Sequence, residues 1–208
     1  MSEVVDIIIL VLVLMIIFES TIMAFGQDSD LFVLQQCKMV TSRIDGTPYC
    51  VQESDQYAAD LLSELNLRIL VFLRLMKAKY VKDAHIMVNS RNMTLDATTI
   101  VTNILSRYNQ DNIIENVARP HSTSFTIDKG SITGVCVKNP NGQYIDINTL
   151  VFVMLHEISH LAIASIDHTD EFWATFAFIL SESNPIYTYV DYRSNPVNYC
   201  TLIINSNP

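Results

Sequence analysis

The stretch Val151-Phe152-Val153-Met154-Leu155-His156-Glu157-Ile158-Ser159-His160 decides how this chain is read. Two histidines stand four apart in an apolar run, so on a helix they share one face. This is His-Glu-x-x-His, the spacing at which two imidazoles grip one metal ion. Glu157 follows the first histidine directly. From there its carboxylate reaches a water in an open coordination position, where it can act as a base. Between residues 150 and 164, Glu157 is the only formally charged side chain. The helix is therefore expected to be mostly buried, and imidazoles and a carboxylate in a core are costly unless something satisfies them.

Two histidines and a water leave one protein ligand to find. His168 follows His160 after seven residues. Thr169 reads as a helix cap, with Asp170 and Glu171 suited to the positive end of the helix dipole. Phe172, Trp173, Phe176, Ile179 and Leu180 give that second helix an apolar stripe. His168 then falls in the turn between two packed helices and is the expected third ligand. Glu182 is its rival, 22 residues beyond His160. A glutamate there would complete a His2Glu site, which is also sound chemistry for zinc.

His-Glu-x-x-His, a further histidine and then Phe172-Trp173 resemble the WLM-like and related minimal zincin metallopeptidases. The stretches 146–150 and 190–200 look like a membrane-anchored branch found in large DNA viruses. The resemblance spans roughly residues 124–208. It implies Zn2+ as cofactor, His156, His160 and His168 as metal ligands, Glu157 as the catalytic base, and a protein or peptide substrate. The gap to the third histidine is longer here than is usual in that family, and the glycine turn of metzincins is absent. The resemblance also implies that strands ahead of the metal helix bind an extended peptide by strand addition.

Composition sets the bounds. The chain has 208 residues, enough for one domain with a core, and carries 13 basic and 22 acidic residues for a net charge of −9. With no Lys/Arg cluster, nucleic-acid binding is not predicted. Residues 4–25 read VVDIIILVLVLMIIFESTIMAF, a 22-residue stretch long enough to span about 30 Å of hydrocarbon. No Lys or Arg precedes it, so an uncleaved anchor is expected rather than a signal peptide. Lys38 and Arg43 lie beyond the span, which places the catalytic domain on the cytoplasmic side. Asn92-Met93-Thr94 is a glycosylation sequon that matters only for the opposite orientation. Cys37, Cys50, Cys136 and Cys200 contain no C-x-x-C pair. Cys37 and Cys50 are close enough to pair around Gly46-Thr47-Pro48, and four free thiols are equally compatible.

Elsewhere the periodicity predicts amphipathic helices over 57–80 and 94–108, with a strand near His85 and Met87 between them. Residues 124–137 read as paired strands joined at Asp128-Lys129-Gly130, and Asn139-Pro140-Asn141-Gly142 as a further turn. His85 and His121 are expected to be surface or packed residues. Tyr187, Tyr189, Tyr192 and Tyr199 are candidates to donate to an oxyanion, although a tyrosine-rich tail packed on the core accounts for most of them. The expectation is thus an α+β, zincin-like metallopeptidase domain over residues 27–208. A small sheet precedes its active-site helix, and a transmembrane anchor occupies residues 1–26. Its expected activity is zinc-dependent peptide hydrolysis by a single-pass membrane protein of a host or virion membrane. The alternative is a non-catalytic virion or membrane interaction protein with a structural zinc site.

Overall fold

The computed structural model describes residues 37–82, 84–116 and 123–208. The span expected over 4–25 and the lone His121 lie outside them. Among the described residues no helix is long and apolar enough to cross a membrane.

Lys38 to Pro208 form an α+β unit around a mixed sheet. Strands β1 (Lys38–Thr41) and β2 (Pro48–Val51) make a hairpin. Helix α1 (Gln56–Tyr80) starts at Asp55, whose carboxylate accepts from the N–H groups of Tyr57 and Ala58. Such a cap satisfies donors that have no partner inside the helix. Leu62, Leu65, Ile69 and Phe72 recur at helical spacing along α1, and all four are buried.

A second hairpin follows, β3 (Met87–Ser90) with β4 (Met93–Asp96), and leads into α2 (Ala97–Arg107). The helix expected from residue 94 therefore begins three residues later. Thr94 and Leu95 pair across to Asn89 and Val88, and Asp96 turns the chain by accepting from the Thr99 N–H.

The remaining strands of the main sheet are β5 (Ile113–Asn116), β6 (Phe125–Ile127) and β7 (Ile132–Cys136). The order is β1-β2-β5-β7-β6. Pairs β2/β5 and β5/β7 are parallel, and β6 lies antiparallel to β7 at the edge. Gly134 faces Phe125 across that last pair, and a Cβ at Gly134 would come within 2.4 Å of the Phe125 ring.

After β7 comes α3 (Ile147–Ala162), capped by Asp146 through the Thr149 N–H. Helix α4 (Asp170–Ser181) is capped by Thr169 through the Phe172 N–H, as the sequence suggested. Helix α3 is central, packing against α1, α2 and α4. Its Leu150, Val151, Leu155 and Ile158 are fully buried, each stabilising the fold by about 1.5–3 kcal/mol. A C-terminal hairpin, β8 (Val197–Tyr199) with β9 (Leu202–Ile204), completes the chain's regular structure.

No cysteine among the described residues is free. Cys136 at the end of β7 is joined to Cys200 in the β8–β9 turn, with Cα atoms 5.7 Å apart and a sequence separation of 64. On a chain-entropy account, closing a loop of that length stabilises the fold by about 4 kcal/mol. Cys37 and Cys50 are disulfide-bonded as well.

Candidate metal centre

Helix α3 presents His156 and His160 one turn apart, and the segment between α3 and α4 carries His168 to the same place. One ring nitrogen from each of the three lies within 4.8 Å of the others. The Nε2 atoms of His156 and His168 are 3.0 Å apart. Three imidazoles converging in this way form a nitrogen donor set that suits zinc and leaves a coordination position for water. Burial, with the neighbouring imidazoles adding to it, lowers the pKa of His156 to about 3 and that of His160 to about 4. Both rings are thus held in the neutral form that donates to a metal.

Helix α4 buttresses the cluster with aromatic rings. Phe172 stacks on His160 with centroids 4.3 Å apart, and Trp173 stacks on His168 at 5.5 Å. Phe176 meets His156 edge-on at 5.3 Å. This is the physical content of the Phe172-Trp173 pair noted in the sequence. Glu182 lies elsewhere. Its carboxylate accepts from Lys79 of α1 at 2.6 Å, outside the histidine cluster.

Glu157 is 7% exposed, and burial raises its pKa to about 7. Its Oε2 accepts from the Thr126 hydroxyl of edge strand β6 at 3.2 Å. The carboxylate, the three imidazoles and β6 all line one cleft of about 870 Å³. Phe125, Phe152, Trp173 and Phe176 give that cleft an aromatic wall, and Leu202 and Ile203 of the C-terminal hairpin add an aliphatic one.

The end of α3 is held by side chains that the sequence did not single out. Lys129 Nζ donates to the carbonyls of His160, Ile163 and Ser165 at 3.3, 3.2 and 2.8 Å. Arg107 donates to Leu161 O at 2.7 Å, and Asn103 donates to Ala162 O at 2.8 Å. Cations at a helix C-terminus satisfy its unpaired carbonyls and favour the dipole. Together they fix the path from the second histidine to the third. Lys129 reaches its position from a tight turn in which Asp128, Lys129 and Gly130 all have positive φ. Gly130 is required there. Its φ is +108°, and a Cβ would lie 2.3 Å from the Arg107 carbonyl oxygen. Only the turn signal Asp128-Lys129-Gly130 hinted at this in the sequence.

Among the tyrosine candidates, Tyr189 is 61% exposed, while Tyr187 and Tyr192 pack on Phe152 in the core. Tyr199 is buried at the cleft wall, its hydroxyl paired with that of Ser124 and accepting from the Cys136 N–H at 3.1 Å. His85 is a surface residue paired with Asp96 at 2.5 Å.

No protein-family profile matches the chain. It is 29% identical over 177 residues to an uncharacterised protein of Acanthamoeba polyphaga mimivirus, covering 83% of this chain and 84% of that protein. An uncharacterised protein of Invertebrate iridescent virus 6 is 34% identical over 103 residues, 48% of this chain and 57% of that protein. Among solved structures, that of Wss1 from Saccharomyces cerevisiae aligns with a TM-score of 0.43 and 15% identity, over 65% of this chain and 86% of that one.

Proposed function

We propose that this chain is a membrane-anchored, zinc-dependent metallopeptidase of the minimal zincin type. The observation that carries the proposal is the convergence of His156, His160 and His168 beside a buried carboxylate, all in one cleft. Zinc held there would supply Lewis-acid activation of a water and of the scissile carbonyl. The protein does the rest. His156, His160 and His168 would hold the ion, and the side chains bonded to the end of α3 fix the path from His160 to His168. Glu157 Oε2, oriented by the Thr126 hydroxyl, takes a proton from the attacking water and returns it to the leaving amine. Among the described strands β6 pairs only with β7, and on its other side an extended peptide can add as a strand.

In the same proposal residues 4–25 anchor the chain in a membrane, with the domain facing the cytoplasm on the count of flanking basic residues. The test is metal analysis of the purified full chain, coupled to a cleavage assay on an unfolded protein. One zinc per chain and hydrolysis that a chelator abolishes are expected. Hydrolysis that persists without metal would reject the proposal.

A further inference from the structure

We propose that strand β9 is a second peptide-binding edge, lying opposite β6 across the cleft and held there by the Cys136–Cys200 disulfide. An extended substrate is then gripped through its main chain on both sides. This deepens the peptidase proposal and rests on it.

Successive side chains of a strand point to opposite faces. A strand lying flat on a cavity shows it every second residue, whereas a strand showing its edge contributes consecutive residues. Thr123, Ser124, Phe125 and Thr126, the last two in β6, line the cleft in succession. Leu202, Ile203 and Ile204 of β9 do the same. Among the described strands β6 pairs only with β7, and β9 only with β8. Each therefore keeps one side on which alternate residues direct N–H and C=O groups outward. Leu202 is 52% exposed and Ile203 63%. Bulky apolar residues on an open strand edge are what folded proteins normally shield. A bound peptide strand would cover these.

A two-stranded hairpin is marginal on its own, so β9 needs fastening. Its turn supplies this. Cys200 is bonded to Cys136, the last residue of β7, and both are buried. The adjacent Tyr199 hydroxyl accepts from the Cys136 N–H and pairs with Ser124, the residue that enters β6. Beyond β9, Asn207 accepts from the Tyr192 N–H at 2.9 Å and donates to Val190 O at 2.8 Å. The Tyr199–Cys200 corner thus ties the second edge to β7 and to the residue that leads into β6. The supports of the histidines come from other elements: Lys129 from the turn after β6, Arg107 from α2 and Phe172 from α4. Substrates recognised in this way are unfolded, extended segments, selected by main-chain reach more than by side-chain identity.

The test uses the zinc-loaded full chain in detergent, with Glu157→Gln to prevent turnover. The probe is a fluorescein-labelled peptide of alternating Val and Ser, N-methylated at one amide at a time. Successive amides of an extended peptide face opposite sides. Two gripping edges predict that methylation of consecutive amides each weakens binding, by about tenfold per blocked bond. In the Cys136→Ala/Cys200→Ala protein, and separately in Ile203→Pro with its disulfide intact, every second effect should vanish while zinc content holds. Sensitivity at alternate amides only, in the disulfide-intact protein, would overturn the second edge and leave the peptidase proposal standing. Failure of the peptidase proposal would instead show as wild-type protein that cleaves no peptide in the presence of zinc.

Discussion

Replacing His168 with Ala tests the metal centre where two ligand sets compete. The ring nitrogen of His168 approaches that of His156 to 3.0 Å, so its loss removes one of three converging donors and leaves the other two in place. Structural zinc sites with four ligands bind with about 10–16 kcal/mol at neutral pH, or about 2.5–4 kcal/mol per ligand. Zinc affinity should therefore fall by about 100- to 1000-fold. Glu182→Ala is the matched control. It removes an ion pair with Lys79, whose side chain is 58% exposed, and such pairs contribute about 0.2–1 kcal/mol to stability. Zinc affinity should stay nearly unchanged. The assay is a competitive titration of the full chain against a chromophoric chelator at fixed pH, with circular dichroism to confirm folding. The opposite pattern, with Glu182→Ala losing zinc and His168→Ala keeping it, would refute the three-histidine centre and indicate a His2Glu site.

Metal-free protein should lose stability as the pH falls from about 6.5 to 5, because unfolded histidines near 6.5 take up protons that His156 (about 3) and His160 (about 4) do not. Glu157, raised to about 7, opposes this by one proton, so stability should rise with pH by up to about 1.4 kcal/mol per unit; urea midpoints that stay flat across this window would contradict the burial argument. Gly130→Ala should destabilise by about 2 kcal/mol or more, since its φ is +108° and the new Cβ meets a backbone oxygen. Gly142→Ala, at φ +79° with nothing within 4 Å, should cost about 1 kcal/mol, and equal effects on thermal unfolding would remove the argument from close approach. Full-length chain should stay with membranes through carbonate extraction, and deletion of residues 1–25 should release it; a soluble full-length chain would remove the anchor. Disulfides such as Cys136–Cys200 are most frequent in oxidising compartments. A glycan on Asn92, exposed in the β3–β4 turn, would accordingly reverse the cytoplasmic orientation.

The parts of this protein legible in its sequence are those that local geometry dictates. His156 and His160 share a face because a helix repeats every 3.6 residues, and no tertiary information is needed to pair them. Asp146 and Thr169 announce their helices because a side-chain oxygen must satisfy free N–H groups. His168 could be placed in a turn, but its approach to the other rings depends on how α4 packs, which spacing alone does not give. Strands β1, β2 and β5 carry no legible signal in the sequence. Each has four residues, too short for a clear alternation, and the parallel partner of β2 lies 64 positions away at Cys50↔Ile114. The pairing of Cys136 with Cys200 is one of three connectivities that four cysteines allow. Lys129 looked like an ordinary turn residue. Its three carbonyl acceptors come from a helix end and a loop that only the folded chain brings to it.

The most direct measurement of the central claim is zinc content and cleavage of an unfolded protein, taken on the same preparations of wild type and Glu157→Gln. Glu157 is not among the three side chains whose ligand atoms converge, and the proposal gives it the role of base toward the water. The variant should bind one zinc per chain like wild type and lose hydrolysis by at least about 100-fold. A Glu157→Gln protein that retains zinc and cleaves at the wild-type rate would contradict the proposed mechanism.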